Sequence, residues 1–207
     1  MIKLCVFDFD NTLMDGETIT YFGECAGKSK EIADITKRAM AGEIDFFESL
    51  KERVAFLKGV ELAKIEKIAQ NLTFITGAKE IIDYLKAKGI LVCVFSGGYH
   101  IATDHAQKVL GFDINFANEL HHKDGILTGE VGGEMMFGYS KGAMLSRLKG
   151  LLNLKSDEVA VVGDGANDIS MFKEAGVCVA FCANEVLKKA ATHVINKRDL
   201  REIMNIL

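Results

Sequence analysis

Positions 4 to 7 of the chain are all apolar, and the run "KLCVFDFD" then ends on two carboxylates one residue apart. So short an apolar run predicts a buried strand over residues 3–9. From Asn11 to about Thr76 the period becomes helical. The segments "GETITYFGECAG", "SKEIADITKRAMAG", "DFFESLKERVAFLKG" and "ELAKIEKIAQNL" each have helix length, with Gly or polar residues between them. In the third, Phe47, Leu50, Val54 and Leu57 make an apolar stripe at helical spacing.

After Thr76 strands and helices alternate. An amphipathic helix, "GAKEIIDYLKAKG", stops at Gly89 and leads to the strand "ILVCVFS", a helix over "HIATDHAQKVLG" and a short strand, "DINFAN". "KDGILTGEVGGEMM" predicts a hairpin with its turn near Thr128 and Gly129. A helix from about Lys141 to Leu152, the strand "EVAVVG", the helix "NDISMFKEAG", the strand "VCVAF" and a helix–strand–helix tail complete the chain.

Alternation of this kind implies parallel strands joined by right-handed crossovers, hence a doubly wound, mostly parallel α/β sheet with a Rossmann-like core. Such sheets bind ligands outside the carboxyl ends of their strands, near a topological switch point. The helical block interrupts the alternation directly after the first strand. Residues 12–75 are therefore expected to form an inserted α-helical cap over a core built from 1–11 and 76–207, with the small β-hairpin as a further addition.

Composition narrows the partners. With 207 residues and 49% hydrophobic content the chain can bury a substantial core, and its net charge of −4 lacks the concentrated basic surface that nucleic acid or an anionic membrane requires. No apolar run approaches the roughly 20 residues of a membrane span, and the N-terminus has no signal-peptide pattern. Five cysteines, an odd number mostly inside apolar runs, are expected to be reduced core thiols of a cytoplasmic protein. The expected partner is a small molecule; oligomerisation stays open.

Four features gather at or just past strand ends. Asp8 and Asp10, two apart on a strand, project the same way, and a divalent cation would relieve their repulsion. "FSGGYH" ends a strand at Ser96, and Gly97 and Gly98 let backbone N–H groups approach an anion where a helix begins. Lys141 opens a helix, where the macrodipole disfavours a cation unless an anion compensates. In "VVGDGANDISMF", Asp164 follows a buried strand and Asp168 opens a helix, a cluster suited to Mg²⁺. Singly, each has an ordinary structural reading, as a backbone cap, a turn, a solvated charge or a helix N-cap.

Jointly they form a kit for phosphoryl transfer. No serine has a His base beside it, so the attacking group would be Asp8, already ionised at neutral pH. Mg²⁺ and Lys141 would neutralise the approach and the transition state. Asp10 would protonate the leaving oxygen, then deprotonate the water that attacks the aspartyl-phosphate.

The same residues carry a resemblance. Asp-x-Asp-x-Thr at 8–12, Ser-Gly-Gly at 96–98, Lys141 and Gly-Asp-Gly-x-Asn-Asp at 163–168 resemble the four motifs of the haloacid-dehalogenase-like hydrolases, in the same order and with the helical insertion after strand one. "TLMDGETI", "AMAGEIDFFESLKERV", "KDGILTGEV" and "KRDLREI" extend the similarity, nearly end to end, to members that act on a phosphorylated amino acid. The resemblance implies Asp8 as nucleophile and Asp10 as acid/base, with the Asp10 backbone carbonyl on Mg²⁺. It implies Asp164 as a direct ligand and Asp168 as one acting through water. Ser96, Gly97, Lys141 and Asn167 would hold the phosphate. In the cap, Glu17 would meet a substrate ammonium, Arg53 its carboxylate, and Met40 and Phe46 would line an apolar wall. Phe46, Ser49 and Arg53 lie within about 60° on a helical wheel, consistent with one shared face.

The chain departs from the family pattern at Asn11, where many relatives have Ser, and in "FITGA", which lacks a proline. It departs again at Tyr99 and His100, and in the apolar loop "EMMFGYSKG" before Lys141. Hydrolysis of another small phosphomonoester, or phosphate transfer to an alcohol, stays open. A dehalogenase would have no use for Asp10 and the 164/168 pair, and a receiver-like phosphoacceptor would need neither a general acid nor a lid.

Overall fold

The computed structural model describes residues 1–40 and 43–207, Met40 by its backbone alone. Its strands are β1 (Leu4–Asp8), β2 (Leu91–Tyr99), β3 (Ile114–Lys123), β4 (Ile126–Gly133), β5 (Val159–Gly163), β6 (Val177–Phe181) and β7 (His193–Ile195). They form one seven-stranded sheet of order β4-β3-β2-β1-β5-β6-β7. Each pairing is parallel except that of β3 with β4.

Period-two geometry explains why β1 is apolar up to its last residue, Asp8. Cys5 and Phe7 face one cluster with Val92, Val94 and Val162, while Leu4 and Val6 face another with Cys93, Phe95 and Val161. A strand buried on both faces has no polar side to alternate with.

Helices α1 (Thr18–Ala26), α2 (Ser29–Met40), α3 (Phe46–Ala55) and α4 (Leu62–Ala69) stand between β1 and α5 (Ala78–Ala87). Beyond β2 come α6 (His100–Leu110), α7 (Ser140–Leu152), α8 (Ile169–Phe172) and α9 (Glu185–Ala190). Asp45 caps α3 by accepting from the backbone N–H groups of Phe47 at 2.9 Å and Glu48 at 3.4 Å, a contact worth about 1 kcal/mol. α1 stops at Gly27, whose φ of 64° closes the helix in the left-handed conformation. Phe22, Ile32, Leu50 and Val54 of α1, α2 and α3 join the apolar cluster that also holds Phe7 and Val92. Backbone bonds also tie the insertion to the hairpin, Gly59 N–H donating to Leu127 O at 2.9 Å and Leu62 N–H to Gly125 O at 2.8 Å.

Three local expectations are corrected. The hairpin turns at Asp124–Gly125, with φ of 51° and 77°, rather than near Thr128 and Gly129; paired positive φ values are what a tight two-residue hairpin demands. Gly129, also at positive φ, lies inside β4. Secondly, β3 does not end after "DINFAN" but runs on to Lys123, parallel to β2 and then antiparallel to β4. Its second half, "ELHHK", is mostly exposed and so carries no apolar signature. Finally, β2 continues past Ser96 to Tyr99 through an irregularity between Phe95 and Tyr99, so Gly97 and Gly98 belong to the strand end and not to the start of α6. The tail closes in a 3₁₀ segment over Leu200–Asn205. Among the described residues no helix is long and apolar enough to cross a membrane.

Candidate active site

Connections leave β1 for β2 on one side, and β5 flanks it on the other, so its carboxyl end is a switch point of the sheet. Asp8 is the last residue of β1 and is 4% exposed. Lys141, in the first turn of α7 and 3% exposed, reaches across to it. Its Nζ donates to Asp8 Oδ1 and, at 2.6 Å, to Asp168 Oδ1. The other Asp168 oxygen accepts from the backbone N–H groups of Asp164 and Gly165, each at 3.0 Å. Gly163 is required here, because a Cβ in its place would overlap the Asp168 carboxylate. Thr12 Oγ1 donates to Asp8 Oδ2 at 3.2 Å.

Asp8, Asp164 and Asp168 each offer a carboxylate oxygen, all within 4.8 Å of one another. The Asp164 carboxylate accepts no hydrogen bond and pairs with no cation among the described residues. Burial, then the charges of Asp8 and Asp168, push it up to about 9. Asp8 is raised to about 7, mainly by burial, with Lys141 pulling against the rise. For Lys141 burial opposes the charge, but the Asp168 and Asp8 carboxylates outweigh it and hold the ammonium above the ordinary lysine range. One lysine cannot neutralise three neighbouring carboxylates. Hard oxygen donors with an excess of negative charge match what a small divalent cation takes.

Asp10 follows in the turn after β1. Its Oδ1 accepts from both the hydroxyl and the backbone N–H of Thr18, at the start of α1, the latter at 3.3 Å. Burial raises its pKa against those hydrogen bonds. Glu17, one residue before α1, accepts from Asn11 Nδ2 at 2.8 Å and is pushed up to about 8, by burial first and then by the Asp10 charge.

A cavity of about 210 Å³ joins these groups to the insertion. Asp8, Asp10 and Asp164 line one part, while Glu17, Phe46 and Arg53 belong to the inserted segment. Arg53 is 8% exposed. Its Nε donates to Ser49 O and its Nη1 to Thr36 Oγ1, both at 3.2 Å, and no carboxylate pairs with it among the described residues. A buried guanidinium without a counter-ion is costly unless an anion completes it. The Phe46 ring covers Gly97, where a Cβ would stand 2.9 Å from Cζ.

Of the residues singled out in the sequence, Gly97, Gly98 and Asn167 line this cavity with the acidic groups and the inserted residues. Ser96 is turned inward, its Oγ accepting from Gly98 N–H at 2.9 Å. The Met40 side chain lies outside the described residues. Sequence reasoning gave no role to Thr18, Thr36 or Asn118. Asn118 donates to Gly97 O at 3.1 Å and accepts from Met135 N–H at 2.9 Å, tying the glycine strand end to the loop before Lys141. Asn118, a polar residue inside the mostly apolar run "INFANEL", carries a sequence signal, whereas Thr18 and Thr36 stand beside charged residues and carry none.

Comparison with known proteins gives concordant results. The sequence model of the haloacid dehalogenase-like hydrolases matches residues 2–176. The phosphoserine phosphatase of Campylobacter jejuni subsp. doylei is 55% identical over 207 residues, which is 100% of each chain. That of Methanocaldococcus jannaschii is 45% identical over 205 residues, 99% of this chain and 97% of the relative. A solved phospho-aspartyl intermediate analogue of phosphoserine phosphatase is similar with a TM-score of 0.95 at 45% identity, covering 100% of this chain and 99% of that one. A substrate-bound phosphoserine phosphatase complex is similar with a TM-score of 0.95 at 44% identity and the same coverage.

Proposed function

This chain belongs to the haloacid dehalogenase-like hydrolases, and on that premise we propose that it hydrolyses O-phospho-L-serine to L-serine and phosphate through an aspartyl-phosphate on Asp8. It is a phosphatase. The observation that carries the substrate reading is the buried, unpaired Arg53 sharing one cavity with Asp8 and Asp164. A phosphate ester that also bears a carboxylate satisfies both ends.

In this reading Asp8 attacks phosphorus, and the serine oxygen leaves with a proton from Asp10. Asp10 then takes a proton from the water that cleaves the acyl-phosphate and so restores Asp8. Lys141 holds the Asp8 carboxylate and faces the charge that develops on the phosphoryl oxygens. Thr18 fixes the Asp10 carboxyl group. Gly97 and Asn167, with Lys141, hold the phosphate, and Ser96, whose Oγ accepts the Gly98 N–H, fixes the strand end beside them.

Mg²⁺ is the cation we assign to the acidic cluster. Asp164 would hold it directly with Asp8 and the Asp10 backbone carbonyl; Asp168, both of whose oxygens are already engaged, would support from behind. Bound there, Mg²⁺ would neutralise phosphate and carboxylate charge so that the two can approach.

Residues 12–75 act as the specificity cap on a core of 1–11 and 76–207. Arg53 takes the substrate carboxylate through its fork, Glu17 takes the ammonium, and Phe46 forms the apolar wall. The reaction would be the last step of serine formation, in a cytoplasm that keeps the five unpaired cysteines reduced.

The test is phosphate release from L-phosphoserine, with and without Mg²⁺, against a panel of small phosphate esters and with acceptor alcohols added. Mg²⁺-dependent release that is fastest for phosphoserine is expected. Faster turnover of an ester lacking the carboxylate, or transfer to an added alcohol in place of water, would reassign the substrate within the family.

A further inference from the structure

Tyr99 closes β2 and is 1% exposed. Its ring packs on Phe22 of α1, with centroids 5.9 Å apart and planes at 36°. It lines the same cavity as Arg53 and Glu17. Among the described residues no group hydrogen-bonds its hydroxyl, yet the hydroxyl is not sealed off: the polar atom lacking both a partner and access is Ser49 Oγ. A nine-tenths-buried phenol that opens into a cavity without a partner is an unfilled half of a hydrogen bond.

Which end of the cavity it serves follows from its neighbours. Its ring packs on α1, the helix that Glu17 opens, and it shares the cavity with Glu17 and Arg53. It therefore belongs with the groups that would meet the amino-acid end of the substrate. Burial drives its pKa upward, so the phenol stays a neutral O–H donor. Arg53 has committed Nε and one Nη1 hydrogen to Ser49 and Thr36. A carboxylate has about four lone-pair sites, so it keeps acceptor capacity after the remaining guanidinium donors are used.

We propose that Tyr99 is a specificity-determining residue whose phenol O–H donates to the carboxylate of the substrate beside the Arg53 guanidinium. The proposal rests on phosphoserine being the substrate. Hydrogen bonding replaces the water that the phenol and the carboxylate otherwise keep, and the Phe22 contact holds the ring in place beforehand.

Tyr99→Phe removes the hydroxyl and keeps the ring. The experiment compares this variant with the parent on three esters: O-phospho-L-serine, phosphoethanolamine, which lacks the carboxylate, and 3-phosphooxypropanoate, which lacks the ammonium. Expected is a fall in kcat/KM of roughly tenfold to a hundredfold on the two carboxylate esters, carried by KM, with phosphoethanolamine unchanged. No loss, an equal loss on all three, or a loss that follows the ammonium overturns the proposal. A parent enzyme without preference for carboxylate esters would sink the phosphoserine reading and this proposal with it. A preference equally strong in parent and variant would sink this proposal alone.

Discussion

The ring of Phe47, on α3, stacks on that of Phe137, in the loop between β4 and α7, with centroids 5.0 Å apart and planes at 26°. Phe137 stacks in turn on Tyr139, at 5.4 Å and 4°, two residues before Lys141. The stack thus joins an inserted helix, whose Phe46 covers Gly97, to the segment that delivers Lys141 to Asp8. Moving α3 away to admit substrate would break it, and an aromatic pair is worth about 0.5–1.5 kcal/mol. Phe137→Ala is therefore expected to raise KM for phosphoserine about twofold to tenfold without lowering kcat. Steady-state kinetics checks this; a lowered kcat at unchanged KM would mean that the stack positions Lys141 rather than closing the site.

Lys141 carries the heaviest electrostatic duty in the site. Replacing it with Met leaves Asp8 and Asp168 facing each other while buried, which should cost about 3–5 kcal/mol of stability in the metal-free protein. Turnover should fall by at least about 10²–10³ on every ester, since the loss does not concern the amino-acid end. Urea unfolding and an ester panel measure the two effects separately. A variant that loses stability but keeps turnover would show the lysine to be a structural counter-ion.

Asp164 should show the opposite balance between stability and function. Its folded pKa of about 9 lies far above the ordinary carboxylate value. The folded metal-free protein therefore holds a proton there that the unfolded chain has released, and stability falls as pH rises from about 4 towards 9. Asp164→Asn removes that burden. In thermal melts without metal the variant is expected to exceed the parent at pH 8, and the gap is expected to narrow towards pH 5. Added Mg²⁺ should raise the parent's midpoint and not the variant's. Equal Mg²⁺ responses in both would place the ion elsewhere.

Much of this was legible because the physics is local. β1 announces itself through four apolar residues, and the inserted helices through 3.6-residue stripes such as Leu50, Val54 and Leu57, all now buried. Asp8, Asp164 and Asp168 stand out because charge beside a buried strand needs a reason. What stayed hidden depends on partners distant in sequence. The second half of β3 is exposed and pairs with a different strand from its first half, so it has no pattern to read. The turn at Asp124–Gly125 carried a strong hairpin dipeptide, but the downstream Thr-Gly competed with it. Thr36 and Tyr99 gain meaning only when α2 and β2 meet Arg53 across the cavity.

The remaining prediction concerns the far end of the chain. Asp199 accepts from Arg201 at Nε (2.8 Å), at Nη2 (2.6 Å) and at the backbone N–H (3.1 Å). These bonds, the side-chain ones first, hold its carboxyl at about 2. Leu200 N–H beside it donates to Thr76 O at 2.9 Å, so the pair anchors the 3₁₀ tail to the entrance of α5. A depressed folded pKa gives stability that is present above the ordinary carboxylate value, near 3.9, and is lost as pH falls through about 2. Between pH 4 and 2 the melting temperature of the parent should fall more steeply than that of Asp199→Asn, and above pH 5 the difference should be constant. Because half of the Arg201 side chain is exposed (51%), the effect should be modest and should shrink in high salt. Parallel slopes for the two proteins across the acid range would show that the Asp199–Arg201 pair adds nothing to the docking of the tail.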